Sequence, residues 1–325
     1  MFSMMPTSGV VFVNCGASQL HLNDDIDYCQ KMEMLQKDIM QEGDSTHPTY
    51  EIGLRYNNLS LLKEELSKAD KNLCKYTIID EGGERETIRI TDPYGRIFVA
   101  RKAINDNVGN ENATDEPSIS SMCQQKIICN TDQDDVSKYG SEIVEKYGKQ
   151  QPSSTATLCQ GIDYIEFFVP VHKDDGGKTI DKIASFYEFF FDAPTTVTHD
   201  GTSNIAIIGF GKIDENGRAE QSLLFRERFC ESGTVVNDDE IGTGHHIAIY
   251  VDQYVAAVEN CIDGGLLWVN QQFEDRVLNV EKAIEVGQFR FIDIIDIENG
   301  DVLYSIEHEI RSVNHPLFPG VKCKQ

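Results

Sequence analysis

The sequence predicts an α+β fold of tandem β-α-β-β-β modules, whose mixed sheets curl into cups around small-molecule pockets and whose first module is incomplete. Three observations carry this expectation. Short runs alternate apolar and polar residues with period two, as half-buried strands do. A stretch with apolar residues at helical spacing follows the first run of each unit. The same order of run and helix then returns along the chain, which is the mark of a repeat.

The first full unit opens at Ile52-Gly53-Leu54-Arg55-Tyr56, a predicted strand. Asn58 then supplies a helix N-cap ahead of Leu59, Leu62 and Leu66. Tyr76–Ile79, Thr87–Ile90 and Ile97–Ala100 read as three more strands, with Asp92-Pro93-Tyr94-Gly95 as a turn before the last. A second unit starts with Ile162–Val169, followed by a helix over Thr179–Phe191 that sets Ile180, Ile183, Ala184, Tyr187, Phe190 and Phe191 inward. Strands at Ile205–Phe210 and Gln221–Phe225 follow. The third unit begins at His246–Val251. It continues with a helix capped by Asp252 that turns Val255, Val258 and Ile262 inward, and with strands at Leu266–Val269, Phe289–Ile294 and Val302–Ile310. Ahead of all three, Val10–Leu22 reads as strand without a preceding helix, and 30–40 as a short surface helix.

The expected organisation is a partial amino-terminal domain over 1–103, a complete carboxy-terminal domain over 159–315 and a tail over 316–325. Between the domains, 104–158 is rich in Asn, Asp, Ser, Gln and Glu and is expected to be a polar, partly disordered linker, with a short helix around Glu142–Tyr147. The net charge of −25 repels phosphate backbones and anionic lipid, which argues against nucleic-acid and membrane partners. The nine cysteines are odd in number and form no CxxC pair, which fits reduced thiols in the cytoplasm. No leader is visible at the start, and no apolar run reaches the roughly 18 residues of a membrane span. The expected partners are a small-molecule ligand and, as an option, a second copy of the chain in a homodimer.

Period-two alternation assigns strand residues to faces. Ile165, Phe167 and Val169 go to the helix side, leaving Tyr164, Glu166 and Phe168 toward the cleft. Ile247, Ile249 and Val251 leave His246, Ala248 and Tyr250 toward the cleft, and Ile306 and Ile310 leave Ser305, Glu307 and Glu309 there. A His, a Glu and a Tyr or Glu thus converge from three strands. One reading is a mononuclear site for Fe, Mn, Ni or Zn with open positions for water or substrate. The other is a polar cleft in which His246 is hydrogen-bonded and Glu307 pairs with Arg311 or Arg290. No phosphate loop appears, since Gly264-Gly265 reads as a helix end; Cys230 and Cys261 read as packing, His308 and His315 as tail residues, and the aromatic run from Phe186 to Phe191 as mostly core.

Gly244-His245-His246-Ile247-Ala248-Ile249-Tyr250-Val251 resembles the first strand of a module in the vicinal oxygen chelate superfamily, the group of glyoxalase I, extradiol dioxygenases and fosfomycin-resistance proteins. Phe186-Tyr187 is similar to that group's helical Phe-Tyr, Asp92-Pro93-Tyr94-Gly95 to its turn, and Ile306–Ser312 with His315-Pro316 to the ending of glyoxalase-like domains. The resemblance covers 9–22, 50–103 and 159–315, and implies paired modules forming cupped sheets, with Val10–Leu22 as the end of a module. It also implies ligands from first and last strands: His246, with Glu307 or Tyr304 as the last-strand donor, Glu166 as a substitute ligand and Gln221 as a fourth. Tyr164 stands where a second His is expected; tyrosine, with a pKa of about 10, is a poor ligand for divalent iron and is expected to be a catalytic proton shuttle or hydrogen-bond donor. Gln19, His21 and Glu51 fall near equivalent positions in the amino-terminal half. The expected function is a metal-dependent dioxygenase, isomerase or lyase acting on a small oxygenated molecule. Its alternatives are a metal-free small-molecule-binding protein of the same fold and a regulatory protein working through its acidic linker.

Overall fold

The computed structural model describes residues 2–4, 10–15, 18–23, 50–56, 58–69, 75–79, 86–91, 97–102, 159–171, 175–213, 219–229, 246–269, 277 and 279–315, with side chains from Tyr50 onward. The expected helices at 30–40 and 142–147, the turn at 92–95, the linker and the tail from 316 lie outside the described residues. The chain divides into two compact units, Met1–Glu166 and Phe167–Gln325. No helix among the described residues is long and apolar enough to cross a membrane.

In the first unit, β1 (Phe2–Met4), β2 (Val10–Cys15) and β3 (Ser18–Asn23) form an antiparallel meander. A full module follows: β4 (Tyr50–Tyr56), α1 (Leu59–Lys68), β5 (Lys75–Ile79), β6 (Thr87–Thr91) and β7 (Ile97–Lys102). Its sheet order is β5-β6-β7-β4, with β4 and β7 parallel and the other pairs antiparallel. The Asn58 side chain accepts from the amides of Ser60 at 3.0 Å and Leu61 at 3.2 Å, satisfying two of the donors that a helix start leaves open. Leu59 and Leu62 then bury against Ile88 and Ala100, with Tyr56, Leu66 and Ile90 around them. One face of the sheet is thereby covered by α1. The alternate residues, Glu51, Gly53, Arg55, Arg89 and Arg101, belong to the opposite face.

Strand β8 (Cys159–Val171) belongs to the first unit through Glu166 and to the second from Phe167. In the second unit it is followed by α2 (Lys178–Phe191), β9 (Thr195–His199), β10 (Asn204–Ile213) and β11 (Ala219–Phe229), in sheet order β8-β11-β10-β9. The last module is β12 (His246–Val251), α3 (Tyr254–Asp263), α4 (Val280–Val286), β13 (Gln288–Ile295) and β14 (Val302–Ser312). Here β12 runs parallel to β14, and β13 pairs with β14 antiparallel. The expected strand at Leu266–Val269 is reduced to a single bridge between Trp268 and Arg290.

Helix α2 buries Ile180, Ile183, Ala184, Phe186, Tyr187 and Phe190, while Phe189 is exposed. Helix α3 departs from its expected face. Tyr254 opens it and donates its hydroxyl to the Ala283 carbonyl at 2.9 Å, so the buried stripe is Tyr254, Ala257, Val258 and Cys261, and Val255 turns outward. Asp252 is not the cap residue; its carboxylate accepts from the Gln253 amide just before the helix. His308 does not lie in a tail. It sits in mid-strand, wholly buried, in ring contact with Phe291 at 4.1 Å between centroids.

Candidate functional site

In the second unit the parallel β12–β14 ladder pairs His246 with Glu307 and Ala248 with Glu309, while the β13–β14 ladder pairs Arg290 with Glu309 and Gln288 with Arg311. Partnered residues share a sheet face, so His246, Arg290, Glu307, Glu309 and Arg311 rise together, opposite the face under α2. Glu307 and Glu309 are fully buried, a position carboxylates hold only when paired. Arg290 is what pairs them. Its Nη1 donates to Glu307 Oε1 at 2.5 Å and its Nη2 lies 2.9 Å from Glu309 Oε1. Arg311 adds Nη2 to the same Glu309 oxygen at 2.7 Å and donates from Nη1 to the Tyr250 hydroxyl at 2.9 Å. His246 Nε2 faces Glu309 Oε2 at 3.5 Å. Burial pushes the His246 pKa below its ordinary value, against the pull of Glu309 and Glu307, and keeps the ring neutral.

Two guanidiniums thus balance two carboxylates without an inorganic cation. Among the described residues, no group of three or more His, Cys, Asp or Glu side chains is placed to hold a metal ion. His246 and Glu307 share a face, but Oε1 of Glu307 is held by Arg290. Tyr304 falls on the other face, packed with Phe167 and Phe225. The donor set as it stands works against a divalent cation: one oxygen of each carboxylate already holds charge-assisted bonds to arginine, and two guanidiniums would stand beside the added positive charge.

Tyr164 and Glu166 belong to the first unit. Tyr164 donates its hydroxyl to Glu51 Oε1 at 2.6 Å, and Arg89 Nη1 stands 3.1 Å from Glu51 Oε2. The Arg101 guanidinium lies over the Tyr164 ring, 4.9 Å from its centroid. Burial, followed by the nearby Glu51 charge, pushes the Tyr164 pKa well up, so the phenol keeps its proton. The ring rests on Gly53, where an added Cβ would come within 2.1 Å of it. Glu166 is buried on the same strand and adds its negative field to that around Tyr164.

Arg290 was legible only as one of two bases able to neutralise Glu307, and its hold on Glu309 had no signal in the sequence. Arg89 and Arg101 escaped notice as well, although alternation from Ile88 and Ala100 sets both opposite the helix.

No family model matches the sequence, and no curated protein matches it. Among solved structures, glyoxalase I from Zea mays aligns over 96% of this chain and 82% of its own length, at 11% identity and a TM-score of 0.45. A putative dioxygenase from Bacillus subtilis aligns over 81% of this chain and 60% of that one, at 10% identity and a TM-score of 0.38. A mutant fosfomycin resistance protein from Listeria monocytogenes, complexed with Mn(II) and a dihydroxypropylphosphonic acid, aligns over 45% of this chain and 88% of its own, at 13% identity and a TM-score of 0.25. The chain's own topology is a repeated module whose first and last strands pair in parallel, as β4 with β7 and β12 with β14. On that topology the chain has the α+β fold of tandem β-α-β-β-β modules predicted from its sequence.

Proposed function

We propose that the chain is a metal-independent small-molecule-binding protein on the vicinal oxygen chelate fold, with its binding cup on the polar face of the second unit. The observation that carries this reading is the bridge from Arg290 to Glu307 and Glu309. A divalent cation would have to share Glu307 and Glu309 with this guanidinium and stand beside its positive charge, and displacing it would break two charge-assisted bonds at a buried site. The face keeps groups able to orient a ligand: the neutral imidazole of His246, the Tyr250 hydroxyl and the half-buried edge of Arg311.

A metal-dependent enzyme is the second reading, favoured by the direct pairing of His246 with Glu307 across β12 and β14. It requires the cation to share Glu307 and Glu309 with Arg290 or to displace it. The experiment is metal analysis of the purified full chain, joined to thermal unfolding with and without chelator and to native mass spectrometry for a retained organic ligand. The expected result is substoichiometric metal, an unfolding temperature indifferent to chelator, and an organic adduct. One metal per chain that is lost in Glu307→Gln would establish the second reading instead. A protein that retains and binds no small molecule would refute the first.

A further inference from the structure

The sheet face turned away from α1 in the first unit carries arginines from three neighbouring strands: Arg89 on β6, Arg101 on β7 and Arg55 on β4. Arg55 and Arg101 are partners in the parallel β4–β7 ladder, so their backbones lie about 4.8 Å apart. Thr87 completes the row, opposite Arg101 on β6. Two like charges at partnered positions repel, and a negative group between them offsets that repulsion.

The acids on this face are committed elsewhere or stand too far off. Glu51 accepts from Tyr164 at 2.6 Å and pairs with Arg89 at 3.1 Å. Asp163 Oδ1 stands 3.7 Å from Arg55 Nε, beyond hydrogen-bond range. Glu166 is buried beside Tyr164, whose pKa its field raises. Arg101 is exposed and has no ion pair among the described residues; its guanidinium stands over the Tyr164 ring. The Nε–H of Arg55 is buried and has no hydrogen-bond acceptor among the described residues. A bound acceptor would satisfy a buried donor in that state.

We propose that Arg55 and Arg101 bind the oxyanion of a small molecule, a carboxylate or phosphoryl group, over a floor made by the Tyr164 ring on Gly53. The planar guanidinium suits both anions, because its parallel N–H groups match two oxygens at once. Glycine at position 53 is what lets the ring lie against β4, and Arg101 stacks on that ring in turn. With a chain charge of −25 the long-range field repels anions, so affinity here comes from short contacts rather than steering. The site shares no residue with the cup of the second unit and stands or falls apart from it.

The test is NMR of the arginine Nε–H groups in the isotope-labelled full chain, titrated with inorganic phosphate in one arm and oxalate in the other, at constant ionic strength. The signals of Arg55 and Arg101 are assigned by their loss in Arg55→Gln and Arg101→Gln. Both should move saturably with at least one anion, and each variant should weaken binding roughly tenfold or more, as for loss of a charge-assisted hydrogen bond. A response to phosphate alone identifies a phosphoryl ligand, to oxalate alone a carboxylate, and to both a general oxyanion site. Absence of a saturable shift with either anion would overturn the proposal, as would an equal shift with chloride or binding unchanged in Arg101→Gln. Arg101 is exposed, so its variant keeps the fold and the test remains decisive if Arg55→Gln unfolds.

Discussion

The Tyr187 hydroxyl donates to His308 Nε2 at 2.6 Å, tying helix α2 to the middle of β14 inside the core of the second unit. The other ring nitrogen, Nδ1, lies 2.7 Å from the Ile306 carbonyl and donates to it, which leaves Nε2 to accept. Both nitrogens are satisfied only while the imidazole is neutral.

That arrangement makes stability depend on pH. Burial lowers the His308 pKa to about 3, against an ordinary value of about 6.5. For a base held neutral, the unfolded chain binds more protons, so stability is full above about pH 6.5 and falls as pH drops toward 3. The slope for one such group is up to about 1.4 kcal/mol per pH unit. Urea unfolding between pH 7 and 5 should show this loss, and His308→Gln should flatten it. An unchanged slope in that variant would assign the effect to other groups.

Tyr187→Phe should cost about 1–3 kcal/mol, because it leaves the buried Nε2 without a donor while keeping the aromatic ring. Chemical denaturation of the variant measures it. A loss below a few tenths would mean that water replaces the hydroxyl.

Arg290→Met removes the base that Glu307 and Glu309 share, leaves Arg311 to hold Glu309, and should destabilise the second unit by about 3–5 kcal/mol. The triple change with Glu307→Gln and Glu309→Gln should recover part of that loss. The single variant should also gain affinity for Mn(II) or Zn(II) over the parent, read by calorimetry, because Glu307, Glu309 and His246 then share a face with one guanidinium fewer. Failure to gain it would show that these three donors do not converge even when released.

Gly53→Ala brings a methyl group into the Tyr164 ring and should destabilise the first unit by about 1–3 kcal/mol. Tyr164→Ala in the same chain should relieve that clash. Thermal unfolding of the two single variants and the double variant tests the coupling, which additive losses would exclude.

Much of the architecture was legible because it follows from local periodicity. The stripe of Ile180, Ile183, Ala184, Tyr187 and Phe190 located α2, Asn58 marked the start of α1, and alternation along β14 set Glu307 and Glu309 on one face. Strand β9 was missed because Thr195–His199 lies at the sheet edge and is largely exposed, so it carries no apolar alternation to detect. Helix α4 was missed because seven residues with one fully buried side chain give almost no periodic signal. The site was harder for a different reason. Whether Glu307 serves a metal or a guanidinium depends on Arg290 in another strand, and alternation assigns faces without assigning partners. His308 misled in the same way, since nothing local distinguishes a core imidazole held by Tyr187 from an exposed one.

The parallel pairing of first and last strands also bears on how the chain is made. Glu51 meets Ile97, and His246 meets Glu307, only after the rest of each module has been made. The pairs β5-β6-β7 and β13-β14 join strands that are close in sequence, whereas β4 and β12 meet their parallel partners only across the whole module. In these two modules an unpaired first strand is an open edge until the last strand has been made, and an open edge is where a nascent chain can pair with a neighbour.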